Sequence, residues 1–371
     1  MANIDSLEEI RKLDIDNYLQ TLRDFPEQCE RAWSDWEKIP LPARFIQAKN
    51  ILITGMGGSA IGARLASGLI TQEKIPIIIR GDYGSPDWVN KDTLVIASSY
   101  SGNTEETLDC FEKSAQKTDK LITISKGGQL EILSRKYKTT HYTINYDSQP
   151  RQSIGFQLTS ILAILRKLDL IELTPEDFKE AVLLVRSLQK KIDVSAATYH
   201  NNSKILAKKL IGKIPIIFGS GILAEVARRA KSHFNENSKV ASYFEILPEA
   251  NHNAMVGLEF PKPLKDKIHV IILQSKYDHP RNQLRDNITF QIMQKKRIPS
   301  DSIMFEPSTG PLAELLQALH FVDFTSYYLG ILNDAEPSRI DMILFLKDKL
   351  AEHPFDSSPS TSLGTSQGKL R

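Results

Sequence analysis

Short apolar runs alternate with helix-patterned stretches along this chain. ILITG (51–55) reads as a strand closing on a glycine turn, and GGSAIGARLASGLI after it sets Ala60, Ile61, Leu65 and Leu69 at helical spacing. PIIIRGDY (76–83) is a second strand. TLVIA (93–97) is a third, and it opens into the polar stretch SSYSGNTEET (98–107) and then a helix. LITIS (121–125) is a strand followed by a glycine pair and the helical QLEILSRK, and HYTIN (141–145) is a further strand. Strands alternating with helices predict an α/β fold whose parallel sheet is covered on both faces.

The segments 153–171 and 176–210 are helical, and then the pattern restarts. PIIFGSGILAEVARRAKSHFNENS (215–238) parallels the first strand, turn and helix, with Gly219 in the place of Gly55. HVIILQSKYD (269–278) parallels TLVIASSYSGN but has lost most of the hydroxyls. Two doubly wound, flavodoxin-like domains with parallel sheets, arising from an internal duplication, are expected. The expected partition is a helical extension over 1–48, a first domain over 49–175, and a second over 176–353 with crossover helices and a C-terminal helix. The Ser/Gly/Pro-rich 354–371 reads as a disordered tail.

Composition narrows the function classes. Among 371 residues, 47 basic and 45 acidic side chains leave a formal net charge of +2, which gives no footprint for nucleic acid or an anionic membrane. No run of about 18 apolar residues exists. Cys29 and Cys110 sit in no metal-binding or disulfide pattern, and the charged N-terminus carries no apolar leader, so a reduced, cytoplasmic protein is expected. Any anion must be held by a local site.

Two strand-to-helix turns could form one. GMGGSAIG (55–62) lets backbone approach a ligand and leads into a helix N-terminus, whose N–H groups favour anions. Gly55, Gly57 and Ala60 fit the dinucleotide fingerprint only loosely, with Asp82 late for its acidic partner, and the GxxxxGK[ST] phosphate loop is absent. SSYSGNTEET supplies hydroxyl donors from Ser99, Ser101 and Thr104 at the position where open α/β sheets bind ligands. An ordinary polar turn is the competing reading, with Thr104 as a helix N-cap. Taken singly, Glu236, His252 and Arg151 could each be a surface residue.

In combination these stretches resemble a known family. Strand-GMGGSAIG and strand-SYSGNTEET resemble the sugar isomerase (SIS) domain. Two such halves, joined with PRQSIGFQLT (150–159), NENSK (235–239) and PEANHNAMVG (248–257), are similar to the bifunctional phosphoglucose/phosphomannose isomerases over roughly residues 40 to 350. The resemblance implies an aldose–ketose isomerase that interconverts glucose 6-phosphate and mannose 6-phosphate with fructose 6-phosphate through an enediol, without metal or other cofactor. It implies phosphate binding by Gly58, Ser59, Ser99, Ser101 and Thr104, with Glu236 as the C1/C2 base. His252 and Lys347 would assist ring opening, with Lys349 competing for the lysine's role, and Arg151 would stabilise the enediolate. It implies a homodimer with His252 contributed across the interface. EPSRI (336–340) departs from the family's DPTPV-like stretch and places Ser338 where a threonine borders the sugar near C1–C2, so both epimers are expected as substrates.

A non-catalytic sugar-phosphate sensor is the alternative, though no DNA-binding extension is evident. An amidotransferase-type aminosugar enzyme would need an N-terminal cysteine nucleophile, and residue 2 is Ala.

Overall fold

The computed structural model describes residues 2–70, 74–306, 308 and 310–353; the expected tail lies outside them. The N-terminal extension contains three helices, α1 (Leu7–Leu13), α2 (Tyr18–Arg23) and α3 (Phe25–Lys38). The break has a local cause. Asn17 adopts the left-handed conformation at φ 55°, and the Asp14 carboxylate accepts hydrogen bonds from the N–H groups of Tyr18 (2.6 Å) and Leu19 (2.8 Å), which starts a new helix.

The first sheet takes β1 (Asn50–Thr54), α4 (Gly57–Ser67), β2 (Ile77–Arg80), β3 (Thr93–Ser98), α5 (Glu105–Ala115), β4 (Leu121–Ser125), α6 (Gly128–Lys136) and β5 (Thr140–Thr143). Its five strands are all parallel, in the order β2-β1-β3-β4-β5. Helices α7 (Ile154–Lys167), α8 (Pro175–Ile192) and α9 (Asn202–Lys209) lead to the second half. That half comprises β6 (Ile214–Gly219), α10 (Ala224–Glu236), β7 (Tyr243–Ile246), β8 (Ile268–Leu273), α11 (Pro280–Lys295), β9 (Ser300–Ile303) and α12 (Pro311–Leu332). Its parallel sheet runs β7-β6-β8-β9, the order of the first sheet without its last strand. A shared order is what a duplication would leave, and also what this fold produces unaided.

The edge strands β7 and β9 escape the hydrophobic pattern because YFEI and SDSI are only half-buried and lack an apolar run. The central strands β3 and β8, buried at every position, are the ones the pattern reveals. One apolar core joins both sheets. It includes Ile51 and Ile53 from β1, Ile217 from β6, Leu273 from β8, and most of α7 and α12. Helix α12 is buried nearly all round, as a helix without a polar face must be. No described helix is long and apolar enough to cross a membrane.

This compact unit ends at Arg339. A second unit follows, whose described part contains α13 (Asp341–Ala351) with Lys347 and Lys349 on it. At the end of that helix Lys349 donates to the Glu352 carboxylate at 2.6 Å.

Candidate active site

In a sheet ordered 2-1-3-4-5, ligands bind where the chain leaves the carboxyl ends of the first and third strands in opposite directions. Those ends carry the glycine turn after β1 and the hydroxyl-rich turn after β3. The two turns are joined directly: the Tyr100 N–H donates to Ser59 Oγ at 3.0 Å. Ser99 and Thr104 pair through their hydroxyls at 2.9 Å, and the Gly102 N–H donates to Ser99 Oγ at 3.2 Å. Thr104 stands at the N-cap position of α5, but its hydroxyl caps nothing and is turned to Ser99 instead. The first-turn amides of α5 therefore have no side-chain cap. Ser101 is exposed, and its Oγ accepts from the Asn103 N–H at 3.2 Å. Asn103 ties this turn to the next one, since its Oδ1 receives the Gln129 N–H at the start of α6, at 2.9 Å. Gly102, at φ +71°, lies so close to the Gly127 carbonyl that a Cβ would stand 1.8 Å from its oxygen.

The turn before α7 closes over this region. Tyr100 reaches it by donating its phenol to the Tyr146 carbonyl at 2.5 Å and accepting from the Ser148 N–H at 2.9 Å. Gly58 touches it too: a Cβ there would sit 3.0 Å from the Pro150 carbonyl oxygen and 3.2 Å from Arg151 Cα. Arg151 is thereby brought over the start of α4. Its guanidinium donates from Nε to Asn237 Oδ1 (3.2 Å), from Nη2 to the carbonyls of Pro337 (2.9 Å) and Ser338 (3.1 Å), and from Nη1 to Gln149 Oε1. It also stands 5.5 Å from the ring centre of the buried Tyr18, whose phenol burial pushes up to about 12.

Glu236 arrives from the second half, at the last position of α10. Its Oε2 lies 3.5 Å from Arg151 Nη1, and its side chain is 30% exposed against 5% for the arginine. Both line a cavity of about 280 Å³, near the lower end of the roughly 300–1,000 Å³ typical of small-ligand sites. Gly55, Gly57, Gly58, Arg64, Arg228, Arg229 and His233 line it as well. Ser59, Ser99, Ser101 and Thr104 are not in its wall. They form a neighbouring cluster, linked to it by the Ser59–Tyr100 bond.

Several side chains here carried no sequence signal. Asp323, buried on α12, binds Arg229 through both oxygens (3.2 and 2.9 Å) and His233 Nδ1 at 3.0 Å. Burial pushes this carboxyl up, but Arg229 and His233 beside it outweigh that and hold it well below the usual range. Arg229 Nη2 donates onward to the Arg151 carbonyl at 3.2 Å. Burial, with Arg229 alongside, lowers the His233 imidazole, so it is neutral. Arg64 is half-buried and forms no ion pair with a described carboxylate, whereas Arg228 is paired with Glu225 at 2.7 Å. The one available clue was that Arg229, His233 and Glu236 recur every three to four residues along AEVARRAKSHFNE.

Ser338 is buried. Its carbonyl serves Arg151 and its hydroxyl has no partner among the described residues, but the residue is not part of the cavity wall. His252 is exposed at the end of a short 3₁₀ turn and is likewise outside the cavity. Its turn is fixed on both sides: Asn251 Nδ2 donates to Thr289 Oγ1 at 3.0 Å, and Asn253 Nδ2 to Glu249 Oε1 at 2.7 Å. The family's lysine candidates, Lys347 and Lys349, belong to the second unit. Among the described residues, no three His, Cys, Asp or Glu side chains are grouped as a metal would require.

Comparison with known proteins bears on the fold and the family. A family model described as the bacterial phospho-glucose isomerase C-terminal SIS domain matches residues 199–350. The structure is similar to a hypothetical protein from Thermus thermophilus, with TM-score 0.70 and 14% identity over 93% of each chain. It is also similar to tagatose-6-phosphate ketose/aldose isomerase from Escherichia coli, with TM-score 0.66 and 14% identity over 88% of this chain and 96% of that one. At such identity these two show the fold alone. A bifunctional phosphoglucose/phosphomannose isomerase from Aquifex aeolicus is 32% identical, over 82% of this chain and 91% of its own length. One from Caldicellulosiruptor bescii is 35% identical, over 90% of this chain and 98% of its own length. With that identity sustained across almost the whole of a relative, the chain belongs to the bifunctional phosphoglucose/phosphomannose isomerase family.

Proposed function

We propose that this protein is an isomerase interconverting glucose 6-phosphate and mannose 6-phosphate with fructose 6-phosphate. The observation that carries the reading is the Arg151–Glu236 pair in the cavity beside the two strand-end turns. Aldose–ketose isomerisation needs a base that takes a proton from one of two adjacent carbons and returns it to the other, and a cation for the oxygen that becomes negative between the two steps. Glu236 serves as the base. Arg151, already held by four groups of the fold, is the cation and needs little reorganisation as charge develops. The step then requires no metal.

The phosphate is placed on the first half. Gly58, Ser59, Ser99, Ser101 and Thr104 surround two helix starts without side-chain caps, and acceptor-only phosphate oxygens suit hydroxyl and amide donors. Lys347 is assigned to ring opening in preference to Lys349, which Glu352 engages. Acceptance of both epimers is assigned to Ser338 on the resemblance, beside Arg151, which its carbonyl holds. His252 is assigned to ring opening from a second copy of the chain. Its exposure, its pinned turn and the exposed apolar side chains of Val256 (71%) and Phe260 (68%) beside it support a homodimer through this face. A cytoplasmic location goes with such a sugar-phosphate enzyme.

The test is incubation with fructose 6-phosphate and a chelator, followed by identification of the aldoses. Both aldose phosphates are expected. Product formed only after zinc is added would remove the metal-free mechanism. Ligand-induced stabilisation without any aldose would replace the enzyme by a sensor.

A further inference from the structure

His233 sits one helical turn before Glu236, lines the same cavity and is only 2% exposed. Its Nδ1 is engaged on the protein side, 3.0 Å from the Asp323 carboxylate and 3.2 Å from Asn237 Nδ2. Its Nε2 is buried and has no hydrogen-bond partner among the described residues. A buried polar atom left without a partner destabilises a fold, which makes one on a residue that lines a ligand cavity a candidate for a ligand's hydrogen bond.

Within the function proposed above, we infer that His233 is a substrate-binding residue. Its Nε2 forms a hydrogen bond with a hydroxyl of the sugar that does not react. The helix gives the position. Three residues separate His233 from Glu236, about 4.5 Å along the axis, so with Glu236 at C1–C2 the imidazole meets the hydroxyl at C3 or C4. Asp323 and Asn237 hold the ring on its Nδ1 side, and through Arg229 Asp323 also supports the Arg151 backbone.

The experiment compares the full-length protein with His233→Asn and His233→Gln on glucose 6-phosphate and on its 3-deoxy and 4-deoxy analogues. Asparagine keeps an amide donor where Nδ1 stood and so preserves the Asp323 contact, but it offers nothing at the position of Nε2. Glutamine places an amide oxygen near that position. His233→Asn is expected to lower kcat/KM on glucose 6-phosphate roughly tenfold, the worth of about one neutral hydrogen bond. His233→Gln should recover part of that loss. On one of the two analogues, wild type and His233→Asn should differ by less than about twofold, because the partner hydroxyl is gone. An equal loss on all three substrates would overturn the inference, leaving an imidazole that fills space or holds water. Absence of any turnover by the wild type would instead overturn the isomerase reading itself.

Discussion

Arg151 Nη1 and Glu236 Oε2 stand 3.5 Å apart, although the turn before α7 carries one and the end of α10 the other. The pair makes a direct prediction. Glu236→Gln keeps the size and a hydrogen-bonding oxygen beside Arg151 but cannot take a proton. Turnover of fructose 6-phosphate should fall by roughly 10²–10⁴-fold, while fructose 6-phosphate still raises the melting temperature as it does for wild type. Near-normal turnover would show that the base lies elsewhere.

A lysine at position 151 would retain the charge and lose the fork. Asn237 now receives a bond from Nε, and the Pro337 and Ser338 carbonyls share Nη2 of the same planar group, an arrangement that an ammonium cannot reproduce. Arg151→Lys should therefore lower kcat by about 10²-fold with a much smaller change in KM. Steady-state kinetics decide it: a change confined to KM would make Arg151 a uniform binding group.

Gly58 couples the start of α4 to this arginine. A methyl group at 58 would press on the Pro150 carbonyl and on Arg151 Cα, backbone atoms that cannot rotate away. Gly58→Ala should shift the turn by a few tenths of an ångström and slow catalysis roughly tenfold or more, with only a modest drop in melting temperature. Unchanged kcat in a stable variant would show that the turn yields without moving the guanidinium.

The parts of this arrangement that the sequence displayed are those with a periodic or compositional signature. The runs ILITG and TLVIA announced β1 and β3, and the glycines and hydroxyls after them marked the strand ends where a ligand belongs. Glu236 and Arg151 were identifiable only through the motifs around them. Asp323 was not, because it lies within PLAELLQALHFVDFTSYYLGIL, where a lone acid in an apolar helix carries no sign of its partners. Its meaning depends on Arg229 and His233, which the chain brings to it over some ninety residues. The carbonyls of Pro337 and Ser338 that seat Arg151 were equally hidden, since backbone oxygens leave no mark on composition.

His320 makes the pH dependence of folding testable. It is stacked against Phe25 (5.4 Å) and packs edge-on against Phe324 (4.9 Å), and burial pushes its imidazole down to about 4. Below pH 6.5 the unfolded chain takes up a proton that the folded chain refuses, so stability is lost as pH falls from about 6.5 towards 4. At about 1.4 kcal/mol per pH unit the loss reaches at most roughly 3 kcal/mol. His320→Phe removes the titrating group. In urea melts the variant should gain on wild type progressively between pH 7 and pH 5, and a constant difference would show that His320 does not titrate in this range.

Asp286 acts with the opposite sign. It is fully buried on α11, where Ser220 Oγ donates to it at 3.3 Å, and burial together with the nearby Asp278 raises its carboxyl to about 7. These acids lie at the β6 and β8 ends, the counterparts of the hydroxyl-lined ends of β1 and β3, so the second half offers carboxyl groups where the first offers hydroxyl donors. The folded state holds a proton that the unfolded chain releases near pH 4. Its contribution is fully present below about pH 4 and is lost as pH rises through about 7, up to roughly 4 kcal/mol. Asp286→Asn mimics the protonated acid at every pH. It should melt higher than wild type at pH 8 and nearly with it at about pH 4, with catalysis on fructose 6-phosphate little changed. A stabilisation that is the same at both pH values would mean that Asp286 does not change its charge between them.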